Sequence, residues 1–168
     1  MKFNILNRKI HNWATPIIAV PLLLIIVTGI LLQLKKQVSW VQPTELRGSQ
    51  STPAISLPEI LEAAKSVPEA EIRSWDDVSR IDMRPNRGLL KVLAKNHWEI
   101  QIDTGNGRVL QSAYRRSDVI ESLHDGSFFH DGVKLWVFLP IALILLIMWL
   151  TGLYMFVLPY IVRNRRRS

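Results

Sequence analysis

The chain has 168 residues, 48% of them hydrophobic, and 21 Lys and Arg against 14 Asp and Glu give it a formal charge of +7. A positive mean hydropathy beside so basic a balance argues against a purely soluble basic protein. With no cysteine in the chain, disulfides, thiolate metal sites, CxxCH haem attachment and iron–sulfur clusters are excluded as well.

The apolar residues fall in two blocks. Residues 16–34 read PIIAVPLLLIIVTGILLQL and residues 135–158 read LWVFLPIALILLIMWLTGLYMFVL, with Tyr154 the only ionisable side chain in either. At about 1.5 Å rise per residue, each crosses the roughly 30 Å of a hydrocarbon core as a helix. This assigns transmembrane helices to 14–35 and 133–160. A signal peptide is the competing reading of the first block, since Lys2, Arg8 and Lys9 precede it. The apolar run is longer than a usual signal core and ends in QLKKQ without a small-x-small cleavage site, so it is expected to stay as an anchor.

Lys2, Arg8 and Lys9 at the start and Arg163, Arg165, Arg166 and Arg167 at the end outweigh Lys35, Lys36 and Lys134 on the inner flanks. By the positive-inside rule the termini, 1–13 and the basic tail 161–168, are expected in the cytoplasm. The part between the helices is then expected in the periplasm of a bacterial inner membrane. Attraction to anionic lipid accounts for the RNRRR tail, and no nucleic-acid partner is expected.

Residues 36–54 are rich in Pro, Ser, Thr and Gly without helical or strand period and read as a linker. A folded domain is expected over 55–118. Ser56-Leu57-Pro58-Glu59 has the form of a capping box, and Leu57, Ile60, Leu61 and Ala64 follow at helical spacing before Pro68. Val78, Ile81 and Met83, then Leu90 and Val92, then Trp98, Ile100 and Ile102, then Val109 and Leu110 form short segments punctuated by PNRG and TGNG, as antiparallel strands do. The fold class is an α+β membrane protein in which two membrane helices flank a helix packed on an antiparallel sheet. Residues 119–132 read as a short helix, begun near Asp118 to Glu121, and a re-entry loop carrying His-Asp-Gly twice, at 124–126 and 130–132.

RKIHNW at 8–13 before an apolar helix with Thr28-Gly29, IDTGNGRVL at 102–110, and SDVIESLHDGSFF at 117–129 before a helix with Thr151-Gly152 together resemble the PepSY-associated transmembrane proteins. The resemblance implies a periplasmic PepSY domain between membrane helices. It also implies a link to iron assimilation, since larger members are implicated in reducing siderophore-bound iron with membrane-held b-type haem. With two membrane helices, this chain is expected to be an electron-transfer or accessory subunit and not a complete reductase.

Haem b is the expected cofactor, and His11, His124 and His130, at the membrane ends of the helices, are its candidate ligands. A neutral imidazole binds iron without a buried counter-charge. The competing reading is that these histidines, beside Trp13 and Trp136, anchor helix ends at the headgroups. His97, beside Trp98, reads as a surface residue on a strand edge. His11 and His124 lie at opposite ends of a span and cannot share one iron, and His124 and His130, six apart around Gly126, fall on different faces. A bis-histidine site therefore calls for a homodimer, or a larger membrane redox complex, with the helices bundled.

The Thr-Gly pairs read as helix packing, and Pro21 and Pro140 as places where the helices loosen. Asp125 or Asp131 is a candidate to orient an imidazole, and of the two HDG copies the first, with His124, is preferred. A cofactor-free alternative also stands: the domain resembles pro-segments that restrain metallopeptidases, so it is read as a module that binds or regulates a periplasmic partner such as a peptidase. No HExxH, phosphate loop, dinucleotide fingerprint or paired catalytic carboxylates appear.

Overall fold

The computed structural model describes residues 2–165, and of these the side chains at 2–4, 6, 131 and 161–165 are not described. The charges of Lys2, Arg163, Arg165, Arg166 and Arg167 and the role of Asp131 lie outside the described residues. The chain divides into two compact units. One is Leu31–Ile120, and the other joins the residues up to Ile30 with those from Glu121 onward.

In the second of these units α1 (Lys2–Gln33) and α5 (Leu139–Arg165) are the long helices. The stretches Asn7–Gln33 and Lys134–Tyr160 are long and apolar enough to cross a membrane. Most of their apolar side chains point outward, Trp13, Val20, Trp136 and Trp149 among them. A helix pair in lipid gains little from burying Leu against Leu, so close packing and polar contacts must hold it. The chain enters α5 through α4 (Asp131–Val133) and a π-helical turn, Lys134–Phe138, whose last carbonyl-to-amide step runs from Lys134 O to the N–H of Leu139. The widened turn lies directly before Pro140, which has no N–H to give the preceding turn.

The unit Leu31–Ile120 is built on a four-stranded antiparallel meander, β1 (Val78–Arg84), β2 (Leu89–Ala94), β3 (Trp98–Asp103) and β4 (Val109–Tyr114), in the order 1-2-3-4. The alternation expected from the sequence sets one face. Leu90, Val92, Ala94, Ile100 and Ile102 pack with Ile60 and Ala64 of α2 (Leu57–Lys65). Glu59 accepts hydrogen bonds from the N–H and hydroxyl of Ser56 at the start of α2. Leu57, expected on the buried face of α2, is exposed instead.

The other face of the sheet is also covered, which the strand pattern does not announce. Lys91, Glu99, Gln101 and Asp103 are polar yet buried. The covering piece is the segment expected to be a linker. Gln101 Oε1 accepts from the N–H of Leu46 and Gln101 Nε2 donates to Thr44 O, while Asp103 accepts from the N–H and hydroxyl of Ser49. The N–H of Gly48 donates to Arg87 O at 2.8 Å, and a Cβ at Gly48 would lie 1.9 Å from Gly88 O. Glycine is needed there because two backbones meet. Residues 37–54 have no regular element, but they form a strap across the sheet, so this unit begins well before residue 55.

Candidate functional site

α1 carries His11 near one end and Thr28 about 25 Å further along its axis. α3 (Arg116–Asp125) carries His124 in its last turn and stops at Gly126, whose φ of 82° lies in the left-handed region. α5 carries Thr151. The fold joins these residues as two crossed pairs: His11 Nε2 lies 2.9 Å from Thr151 Oγ1, and His124 Nδ1 lies 2.9 Å from Thr28 Oγ1.

The hydroxyl protons fix what the imidazoles do. Thr28 Oγ1 is 2.6 Å from Leu24 O, and Thr151 Oγ1 is 2.9 Å from Ile147 O. A carbonyl can only accept, and a hydroxyl has one proton, so each threonine donates back into its own helix and accepts from the histidine. In its neutral form His124 is therefore protonated on Nδ1, which leaves the lone pair of Nε2 open. His11 in its neutral form is protonated on Nε2, which leaves only Nδ1, the ring nitrogen nearer the main chain, where a bulky group meets the backbone. The two pairs use the same parts with opposite ring nitrogens.

The glycine after each threonine completes the seat. A Cβ at Gly29 would stand 3.3 Å from Cε1 of His124, and one at Gly152 would stand 3.9 Å from Cε1 of His11. The Thr-Gly pairs, read from sequence as packing, thus hold the candidate histidines. The available signal was their repetition, one Thr-Gly per span and one histidine near each end. A further polar group escaped the sequence reading: Asn7, one turn from His11 on the same side of α1, is buried, and its Nδ2 has no partner among the described residues.

His130 does something else. Its Nδ1 accepts the N–H of Gly132 at 3.0 Å and caps the first turn of α4. With Nδ1 so used, Nε2 carries the proton and no lone pair is left for a metal. Asp125 orients no histidine in this geometry. It accepts from the N–H and hydroxyl of Ser127 and from Lys134. Burial opposes its ionisation, but the Lys134 and Ser127 hydrogen bonds outweigh that and hold its pKa at about 2. His97 is not on a strand edge. It occupies the β2–β3 turn at a φ of 69°, with its ring edge-on to Tyr114.

The donor chemistry of His124 suits axial ligation of haem, since its ring in the neutral form is fixed by Thr28 and open at Nε2. At the other pair the enclosure within one chain does not suit a macrocycle. The apolar cavity beside the His11–Thr151 pair, walled by Ile10, Ala14, Ile17, Ile18, Ile144 and Ile147, measures about 260 Å³. That is below the roughly 300–1,000 Å³ of ordinary ligand pockets. Among the described residues no three of His, Cys, Asp and Glu gather as a metal site.

Two apolar spans bracketing an α+β unit define a membrane-anchored protein with a folded extramembrane domain. Over residues 8–167 the sequence matches the family model of the PepSY-associated TM region, and the chain belongs to that family. No curated protein and no solved structure matches it.

Proposed function

We propose that this protein is a b-type haem-bearing electron-transfer or accessory component of the bacterial inner membrane, acting in periplasmic redox chemistry or iron assimilation. The observation that carries the reading is the His124–Thr28 pair, which engages Nδ1 and, with the ring neutral, leaves Nε2 unprotonated near the end of α1. Bound haem would supply one-electron chemistry. His124 would hold it through Nε2, Thr28 would keep the ring in that tautomer, and Gly29 would keep the ring close to α1. A second copy of the chain would supply the opposite ligand and the missing wall, because two helices do not enclose a macrocycle. His11 could serve at the other end only by leaving Thr151 or by using Nδ1. In this reading the termini lie in the cytoplasm and the domain in the periplasm, which the basic residues of the termini support.

Purified in mild detergent from cells supplied with haem, the protein should show low-spin b-type absorption bands that sharpen on adding dithionite, and it should migrate as a dimer. A colourless dimer would contradict the redox reading. It would leave the cofactor-free one, a membrane-held module that binds or regulates a periplasmic partner such as a peptidase. One observation favours that second reading: each of His11, His124 and His130 already has a partner within the chain.

A further inference from the structure

A cavity of the Leu31–Ile120 unit lies on the strap-covered side of the sheet, measures about 640 Å³ and is lined by six cations, Lys35, Lys36, Arg84, Arg87, Lys91 and Arg115. Only Glu45 and Asp82 line it with opposite charge. Glu45 is shared three ways, at 2.9 Å from Lys91, 3.4 Å from Arg87 and 3.7 Å from Arg84. Asp82 pairs with Arg80, outside the cavity. Arg115 is taken by Glu99 and Asp118, and Lys91 also reaches Glu99. No ion pair engages Lys35 or Lys36 among the described residues. Fixed cations thus outnumber the carboxylates that face them, in a space of ordinary ligand size.

The position of the cavity is set by the chain. Lys35 and Lys36 follow the apolar span within three residues, and the backbone leaves it in tight turns, with Lys35 N–H on Leu32 O and Gln37 N–H on Leu34 O. The two lysines are thereby tied close to the end of the apolar span. Two guanidiniums and two unpaired ammoniums around a polar space match a tetrahedral oxyanion, which accepts from several donors at once.

We propose that this cavity is a binding site for a phosphate-bearing anion, drawn either from the headgroup of an anionic lipid or from solution. The full-length protein, stripped of lipid in neutral detergent, is titrated at about 0.15 M salt with pyrophosphate and with short-chain phosphatidylglycerol. Short-chain phosphatidylcholine, whose phosphate carries its own counter-cation, is the control. At least one anionic probe should bind saturably. Paired Lys35→Gln and Lys36→Gln substitutions, and separately paired Arg84→Gln and Arg87→Gln, should each weaken it about tenfold or more. Binding of phosphatidylglycerol alone assigns the site to the lipid headgroup, and binding of pyrophosphate alone assigns it to a soluble anion. The lysine pair touches none of the domain's ion pairs, so it remains informative if the arginine pair disturbs folding. No saturable binding of either anion, equal binding of phosphatidylcholine, or wild-type affinity in the folded lysine variant would overturn the proposal.

Discussion

The two units of this protein both bury polar side chains, but they do so with different chemistry. In the Leu31–Ile120 unit the buried groups are charged: Lys91 is 3% exposed and Glu99 1%, and they are joined to Glu45 and Arg115 in one network. In the other unit the contacts that seat the two histidines join an imidazole to a hydroxyl, and the Asp125–Lys134 ion pair stands at the mouth of the second apolar span. The difference follows from the surroundings. A domain beside water can hold opposed charges in a hydrogen-bonded network, whereas hydrocarbon penalises a charge by several kcal/mol and tolerates a satisfied neutral group. Neutrality has a consequence that charge does not: a neutral imidazole that donates one hydrogen bond keeps a lone pair for a metal.

The charged side of that comparison should break hardest. Glu99→Ala removes a carboxylate shared by Lys91 and Arg115, leaving buried cations short of a partner, and should destabilise the domain by about 3 kcal/mol or more. Urea unfolding of the full chain in detergent, followed by circular dichroism, measures this. A loss under about 1 kcal/mol would show the network to be slack.

Acid should separate the units next. Glu45 is held below its usual range by its hydrogen bond to Lys91, against the opposing effect of burial, and by the charges of Arg87 and Arg84. A carboxyl whose pKa is lowered on folding contributes stability above its unfolded value and loses it as pH falls through the folded value. The domain should therefore weaken as pH drops below about 4.5, whereas the Asp125–Lys134 link should persist until pH nears 2. Melting temperatures recorded from pH 6 down to pH 2.5 test the order. A domain melt flat across that range would contradict it.

The neutral contacts should give the smallest effect. Thr28→Val keeps the shape and removes the acceptor, so stability should fall by only about 0.6 kcal/mol, the average for such bonds in membranes. The sharper readout is the ring itself. Nitrogen-15 spectra of histidine-labelled protein should show His124 protonated on Nδ1 in the native chain and a mixture of tautomers in the variant. An unchanged tautomer would mean that Thr28 does not orient the ring.

How much of this was legible in the sequence depended on the range of the interaction. The helices, the meander and the Ser56–Glu59 start of α2 rest on periodicity and on neighbours a few residues apart, and they appear as the pattern implies. The strap did not show, because Gln101 meets Thr44 and Leu46 across more than fifty positions and the run 37–54 has no period to betray a partner. Its presence is why the polar positions of β2 and β3 are buried, although alternation alone reads them as solvent-facing. The histidines were found by residue type and by nearness to the apolar blocks. Their partners were not found, since His11 and Thr151 are 140 residues apart and His124 and Thr28 are 96 apart. Asp125, adjacent to His124, looked the better partner, but Lys134 and Ser127 claim it.

The central claim is that the two membrane histidines are unequal, His124 offering Nε2 and His11 having committed it. The most direct test is the haem content per chain, measured by pyridine haemochrome, of the native protein, His124→Ala and His11→Ala, each purified from haem-supplied cells and checked for an intact domain by circular dichroism. The account predicts that His124→Ala loses most of the haem and that His11→Ala loses the smaller share. Equal losses, a larger loss at His11, or full retention in His124→Ala would contradict it.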